Sequence, residues 1–209
     1  MSRIVLLRHA HSVANEKGIL SGRTEGISLS KTGATQADEL LTRFEGVKFS
    51  AIRISPMQRC LETIEPWINS QDKFNTRTFG IDPQLTEIDF GTWTGKRLTS
   101  LSVKREWKIV QNSPEKVKFP EGESLKQAQV RALAALAKVS ATPGKAPKLV
   151  VTHADVIKLI LCGILSSGLK DFQKFAVDPA SATVIDFDKT RSRIILHNDT
   201  KSNLKHLLK

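Results

Sequence analysis

Three short apolar runs in this chain stop abruptly at residues with chemistry, and the fold follows from that constraint. Ile4 to Leu7 ends in Arg8-His9, Ala51 to Ile54 in Ser55-Pro56, and Leu149 to Thr152 in His153. Runs this short, bounded by polar residues, read as buried strands. Helical patterns lie between them. Leu40, Leu41 and Phe44 give one apolar side, with Ser30 as N-cap and Gly46 as stop; a helix from near Met57 carries Arg59, Cys60 and Thr63; another runs from Val156 to Leu165 behind Asp155. Strands alternating with helices predict a three-layer α/β/α fold with a mainly parallel central sheet. Parallel strands put their C-terminal ends on one edge, where open α/β sheets bind ligands. Arg8, His9, Ser55, Arg59 and His153 can therefore converge although the sequence separates them.

The remaining stretches fit one domain over residues 1–209. A polar loop from His11 to Ser28 offers Asn15, Ser21, Gly22 and Arg23. Pro66 cannot donate to the Glu62 carbonyl, so it should kink or end its helix. Phe74 to Phe79 alternates like a third strand, and Leu85 to Gly95 is a loop of acids, aromatics and glycines. Residues 96–120 read as a basic helical insertion overhanging the site. Pro120 to Ser124 then opens a helix from Leu125 to Val139. Ala182 to Asp188 and Arg193 to His197 read as a closing hairpin turned by Lys189 to Ser192, and the tail after Asp199 should fray.

Composition narrows the partners. With 40% hydrophobic and 25% charged residues in 209, the chain is an ordinary globular one. No apolar run approaches the roughly 20 residues of a membrane span, and no signal-peptide pattern opens it, so a cytoplasmic protein is expected. Cys60 and Cys162 are far apart and expected to be free, buried thiols. The net charge is +11, and residues 101–209 hold most of the excess, 19 Lys and Arg against 10 Asp and Glu. That excess is scattered and lacks interleaved aromatics, so it reads as a solvated surface with nucleic acid a poor fit. A positive field does suit a small phosphorylated substrate, a phosphoprotein included.

Two arginines and two histidines at one sheet edge can make a phosphate pocket with a nucleophile in it. Arg8 and Arg59 offer planar sets of donors to phosphoryl oxygens. His153, if protonated, adds a third cationic donor, and the helix N-termini after Ser55 and His153 add N–H groups. Neutral His9 can attack phosphorus through one ring nitrogen if the other donates to a backbone carbonyl. Glu87 is the candidate general acid and then base, a role that requires its pKa to be raised. Plainer readings stand beside these. His9 and His11 could be half of a metal site, Arg59 a helix cap, Glu87 an exposed loop carboxylate, and His153 a satisfied core histidine.

Six ordered blocks resemble the histidine phosphatase superfamily, the phosphoglycerate mutase-like proteins. Leu6 to Asn15 is similar to its L-x-R-H-G-x-[ST]-x-x-N opening. Gly22 with Leu29 to Gly33 and Gln36-Ala37, Ser55 to Thr63, Leu85 to Gly95, Pro120 to Ser124, and Val151 to Ala154 resemble its later motifs. The resemblance implies a metal-independent phosphomonoester hydrolase, of histidine acid phosphatase type, with no cofactor and a covalent phosphohistidine on His9. It implies that Arg8, Arg59 and His153 complete the phosphate pocket, that Glu87 donates the proton, and that Asn15, Ser21, Gly22 and Ala154 line the substrate side. Ala10 and Ala154 stand where glycine is common, and His11 where Glu or Gln is usual. True mutases carry an arginine after the proton donor, whereas this chain has Ile88, which tilts the reading toward phosphatase. Mutase-type phosphotransfer, a weakly catalytic phospho-ligand-binding protein, and any oligomeric state stay open at this point.

Overall fold

A computed structural model describes residues 1–71, 78–188 and 191–208. Six strands form one sheet: β1 Ser2–Arg8, β2 Ala51–Ile54, β3 Phe79–Ile81, β4 Lys148–Thr152, β5 Ala182–Phe187 and β6 Arg193–Asp199, in the order β3-β2-β4-β1-β5-β6. The first four in that order run parallel; β5 and β6 are antiparallel additions on the far side of β1. The mainly parallel sheet and the closing hairpin match expectation. Of the expected strand Phe74 to Phe79, residues 74–77 lie outside the described residues, and the observed strand starts at Phe79. In the hairpin turn, Lys189 and Thr190 likewise lie outside them.

Alternation along the strands builds the layers. Val5, Leu7, Ile52, Ile54, Leu149 and Val151 face one side and pack on α2 (Lys31–Arg43) and α3 (Gln58–Asn69) through Leu40, Phe44, Ile64 and Trp67. Ile4, Leu6 and Val150 face the other and meet α6 (Leu125–Ala141) and α7 (Ala154–Ile164) through Leu136, Val139, Ile157 and Ile160. Each fully buried aliphatic side chain contributes roughly 1.5–3 kcal/mol, so period-two strands sandwiched by period-3.6 helices leave little choice of register.

Half of one local expectation fails, and another fails whole. The helix does not end at Pro66: α3 continues to Asn69 and the proline carbonyl accepts from the Ser70 N–H. The tail does not fray: Leu204 and Leu208 are buried in the cluster with Phe44 and Val47, and the Leu204 N–H donates to the Arg43 carbonyl. Two leucines four apart in a short turn suffice to dock it.

The stretch 96–120 forms α4 (Leu98–Ser102), α5 (Arg105–Asn112) and a 3₁₀ turn, Pro114–Lys116. With the four-residue α1 (Val13–Glu16), these complete the helices numbered here. Leu101, Val117 and Phe119 join Ile88, Phe90, Trp93, Leu159 and Phe172 in a third apolar cluster. That cluster fixes the stretch against α7 and the Glu87 loop. Both cysteines are free and buried. Among the described residues no helix is long and apolar enough to cross a membrane.

Candidate active site

Each parallel strand delivers part of one cluster. β1 ends at Arg8 and leads into His9, β2 leads into Ser55 and α3, β4 into His153 and α7, and β3 into the loop bearing Glu87. His9, Arg59, Glu87 and His153 are all buried, Arg59 to 1% exposure and His153 to 0%. The rings of His9 and His153 are 5.2 Å apart, centroid to centroid.

Hydrogen bonds fix the protons. His9 Nδ1 lies 2.7 Å from the Ala10 carbonyl oxygen. A carbonyl only accepts, so Nδ1 carries the hydrogen and Nε2 presents a lone pair. Burial, followed by the charges of Arg59 and Arg8, holds the His9 pKa well below 6.5. The ring is therefore neutral at physiological pH, with Nε2 unprotonated. Arg59 Nη2 donates to the Gly22 carbonyl at 2.8 Å and lies 3.2 Å from His153 Nδ1. Arginine cannot accept, so His153 Nδ1 is the acceptor and its Nε2–H donates to Ser55 Oγ, 2.8 Å away. Burial and then Arg59 push the His153 pKa well below 6.5. The condition that His153 be a cationic donor is thus not met in this arrangement, though a phosphate dianion among these groups would pull the other way. The Cys60 thiol beside it, pushed up to about 12 by burial, stays protonated.

The guanidinium groups have donors to spare. Arg8 Nη1 donates to the Val177 carbonyl at 2.7 Å, but its Nε is buried without a partner, as are Nε and Nη1 of Arg59. Buried N–H groups without acceptors each cost about 1–3 kcal/mol, and these three belong to the two arginines that flank His9. An oxyanion is the complement they lack.

Glu87 is held by its neighbours. Its Oε1 accepts from the Ile88 N–H at 2.9 Å, and its Oε2 lies 3.8 Å from His153 Nδ1. Burial, with Asp155 adding to it, raises its pKa from 4.5 to about 7. The carboxyl thus meets the requirement set for a proton donor.

Three residues that hold this cluster had no role assigned to them from the sequence. Arg131 of α6 donates through Nη1 to the carbonyls of Gln84 and Thr86, 2.7 Å each, and through Nη2 to that of Glu87 at 3.1 Å. Glu123 accepts from Arg131 Nε and Nη2, from the Asp89 N–H, and from Arg23 Nη2. Thr63 Oγ accepts from the Ala10 N–H and donates to the Arg59 carbonyl. Arg131 is a lone guanidinium in an alanine- and leucine-rich helix, a signal that was present in the sequence.

The loop residues fall into place differently. Asn15 Oδ1 accepts from the N–H and hydroxyl of Ser12, so its side chain caps α1. Ser21 closes a turn through its carbonyl to the Thr24 N–H. Gly22 sits at φ +49°, and any Cβ there would press on Thr94 and Phe90. Ala154 opens α7 directly behind His153. Arg23 faces the Glu87 loop, donating from Nε to the Glu87 carbonyl. His11 Nδ1 meets Ser30 Oγ at 2.8 Å. Among the described residues no group of three His, Cys, Asp or Glu could hold a metal ion.

The sequence profile of the histidine phosphatase superfamily (branch 1) matches residues 4–200. This chain belongs to that superfamily. It is 29% identical to phosphoserine phosphatase 1 of Hydrogenobacter thermophilus over 205 residues, 96% of this chain and 93% of that one. It is 26% identical to the 2,3-bisphosphoglycerate-dependent phosphoglycerate mutase of Thermoplasma acidophilum, over 90% of this chain and 88% of that one. The solved structure of Bacillus stearothermophilus YhfR superposes with a TM-score of 0.86 at 24% identity, covering 95% of this chain and 98% of that one. That likeness shows that the two chains share this α/β fold.

Proposed function

We propose that this histidine phosphatase hydrolyses phosphomonoesters through phospho-His9, without a metal. One observation carries the reading: His9 is held with Nε2 free beside two arginines whose buried N–H groups lack acceptors. Arg8 and Arg59 bind the phosphoryl oxygens, and the amides opening α7 at Ala154 add donors. Nε2 of His9 attacks phosphorus as the ester P–O bond breaks, and Glu87 gives its proton to the departing oxygen. The resulting carboxylate takes a proton from water, whose oxygen attacks phosphorus. The P–N bond breaks, phosphate leaves, and both His9 and Glu87 return to their starting states. Stretch 96–120 is an insertion in a single domain and covers the leaving-group side.

Rapid quench with a radiolabelled phosphomonoester tests this. Acid-labile, base-stable label on His9 is expected, and none in His9→Ala. A His9→Ala variant as fast as the parent would sink it. The mutase alternative finds no support at Ile88, which is fully buried in the third apolar cluster rather than turned toward a substrate. Free phosphate rather than an isomerised ester is the expected product.

A further inference from the structure

The backbone that carries Arg8 and His9 is gripped from one side by a single turn, residues 177–181. The Arg8 N–H donates to the Ser181 carbonyl at 3.0 Å, Arg8 Nη1 to the Val177 carbonyl at 2.7 Å, and the Ala180 N–H to the His9 carbonyl at 3.2 Å. This turn is strained. Ala180 has φ +57°, a left-handed conformation that a Cβ makes costly. In it the Ala180 N–H meets His9 while the Ala180 carbonyl meets Arg43. Such outliers persist only where the surroundings over-determine them.

Two side chains do so here. Asn198 fastens the outer end of the turn: its Oδ1 accepts from the Asp178 N–H at 2.6 Å, and its Nδ2 donates to Asp178 Oδ2 at 2.8 Å. Arg43 fastens the end that meets His9. Lys31, Asp38, Glu39 and Arg43 are the charged residues of α2, and of these only Arg43 is buried, at 4% exposure. Its Nη1 donates to the Ala180 carbonyl at 2.7 Å and its Nη2 to the Asp199 carbonyl at 2.8 Å, with Asp199 Oδ1 3.5 Å away. Ala180 is buried too, so its carbonyl depends on that donor. A buried guanidinium carries a desolvation penalty that an apolar side chain of similar volume does not. Its helix neighbours Leu40 and Phe44 sit in an apolar cluster. Methionine in place of Arg43 would fill the volume without that penalty, but would supply no donor.

We infer that Arg43 is a positioning residue: through Ala180 it sets the His9 carbonyl, and with it the direction of His9 Nε2. This rests on the hydrolase reading above. In single turnovers with enzyme in excess, p-nitrophenol release from p-nitrophenyl phosphate reads the attack of His9 alone, because this leaving group needs no proton from Glu87. At saturating enzyme, Arg43→Met is expected to slow that step at least tenfold in the folded protein. Ala180→Gly in the same chain should recover at least threefold, since glycine adopts the left-handed conformation unaided. Asp199→Asn should lower the urea midpoint yet leave the step within twofold of the parent, because the bond from Arg43 to Ala180 survives. Should Arg43→Met not fold, Arg43→Lys takes its place; an ammonium lacks the planar fork that serves both carbonyls, and a slowing of at least threefold is expected. A parental rate in the folded Arg43 variant, no recovery with Ala180→Gly, or an equal loss in Asp199→Asn overturns the inference and leaves the hydrolase reading intact. Release of p-nitrophenol by the parent without phospho-His9 overturns both.

Discussion

The Thr63 hydroxyl accepts the Ala10 N–H at 2.8 Å and donates to the Arg59 carbonyl at 2.6 Å. One side chain thus ties the strand end that carries His9 to the helix that carries Arg59. Thr63→Val preserves shape but leaves the buried Ala10 N–H unpaired, at a cost of about 1–3 kcal/mol. We expect a lower urea midpoint and a kcat reduced roughly tenfold, the equivalent of ~1.4 kcal/mol in the transition state. Thr63→Ser should restore most of both. A valine variant with parental kcat would show that the tie does not position His9.

Glu87 should govern the alkaline side of the rate profile. With its pKa near 7, the protonated form needed for the first step is lost above that pH, so kcat/KM should fall there. Glu87→Gln should remove this limb and slow alkyl esters by about 10²–10⁴-fold, but slow p-nitrophenyl phosphate much less, because that leaving group needs no proton. Asp155 is the second cause of the upward shift, so Asp155→Asn should move the limb to lower pH.

The same carboxyl should mark stability. Its folded pKa, about 7, exceeds its ordinary 4.5, so between those values the native state holds a proton that the unfolded chain has released. Stability from this group is fully present below pH 4.5 and is lost as pH rises through 7, by about 3 kcal/mol at most. His9 and His153 act oppositely: their folded pKa values lie well below 6.5, so stability falls as pH drops beneath 6.5. Relative to the parent, Glu87→Gln should therefore gain stability between pH 5 and pH 8 in denaturant titrations. No gain would mean that Glu87 is not protonated in the native protein.

Arg131 should matter well away from any substrate. It supplies donors to three carbonyls of the Glu87 loop, so Arg131→Met should destabilise the fold by about 3 kcal/mol, as for a broken buried pair. The surviving folded enzyme should lose more rate on alkyl esters than on p-nitrophenyl phosphate, because the misplaced group is the acid. Equal losses on both would place its role elsewhere.

Strands and their reactive ends were legible because short apolar runs have one economical burial, between two helical layers. Arg8, His9, Arg59, Glu87 and His153 come together for the same reason: each lies at or just past a parallel strand's C-terminal end. Tautomers were not legible. Whether His153 donates or accepts depends on a 3.2 Å approach of Arg59, which no spacing rule contains. Arg131 and Glu123 were missed because their partners are backbone carbonyls and amides in a distant loop. The tail was misjudged because fraying is a rule about average termini, and Leu204 and Leu208 find an apolar bed between α2 and the sheet.

The placement of β1 has a consequence for how the protein is made. Ser2–Arg8 precedes the other five strands in sequence, yet its neighbours in the sheet are Lys148–Thr152 and Ala182–Phe187. Its backbone lacks one neighbour until residues 148–152 have been synthesised and the other until residues 182–187 have, and both pairings close long loops. A nascent chain stopped before residue 182 carries every residue of the candidate site but lacks one of the two strands that hold His9 in the sheet. Such a fragment presents an unshielded strand edge to chaperones and to other chains. His9 is translated long before the second of the strands that secure it.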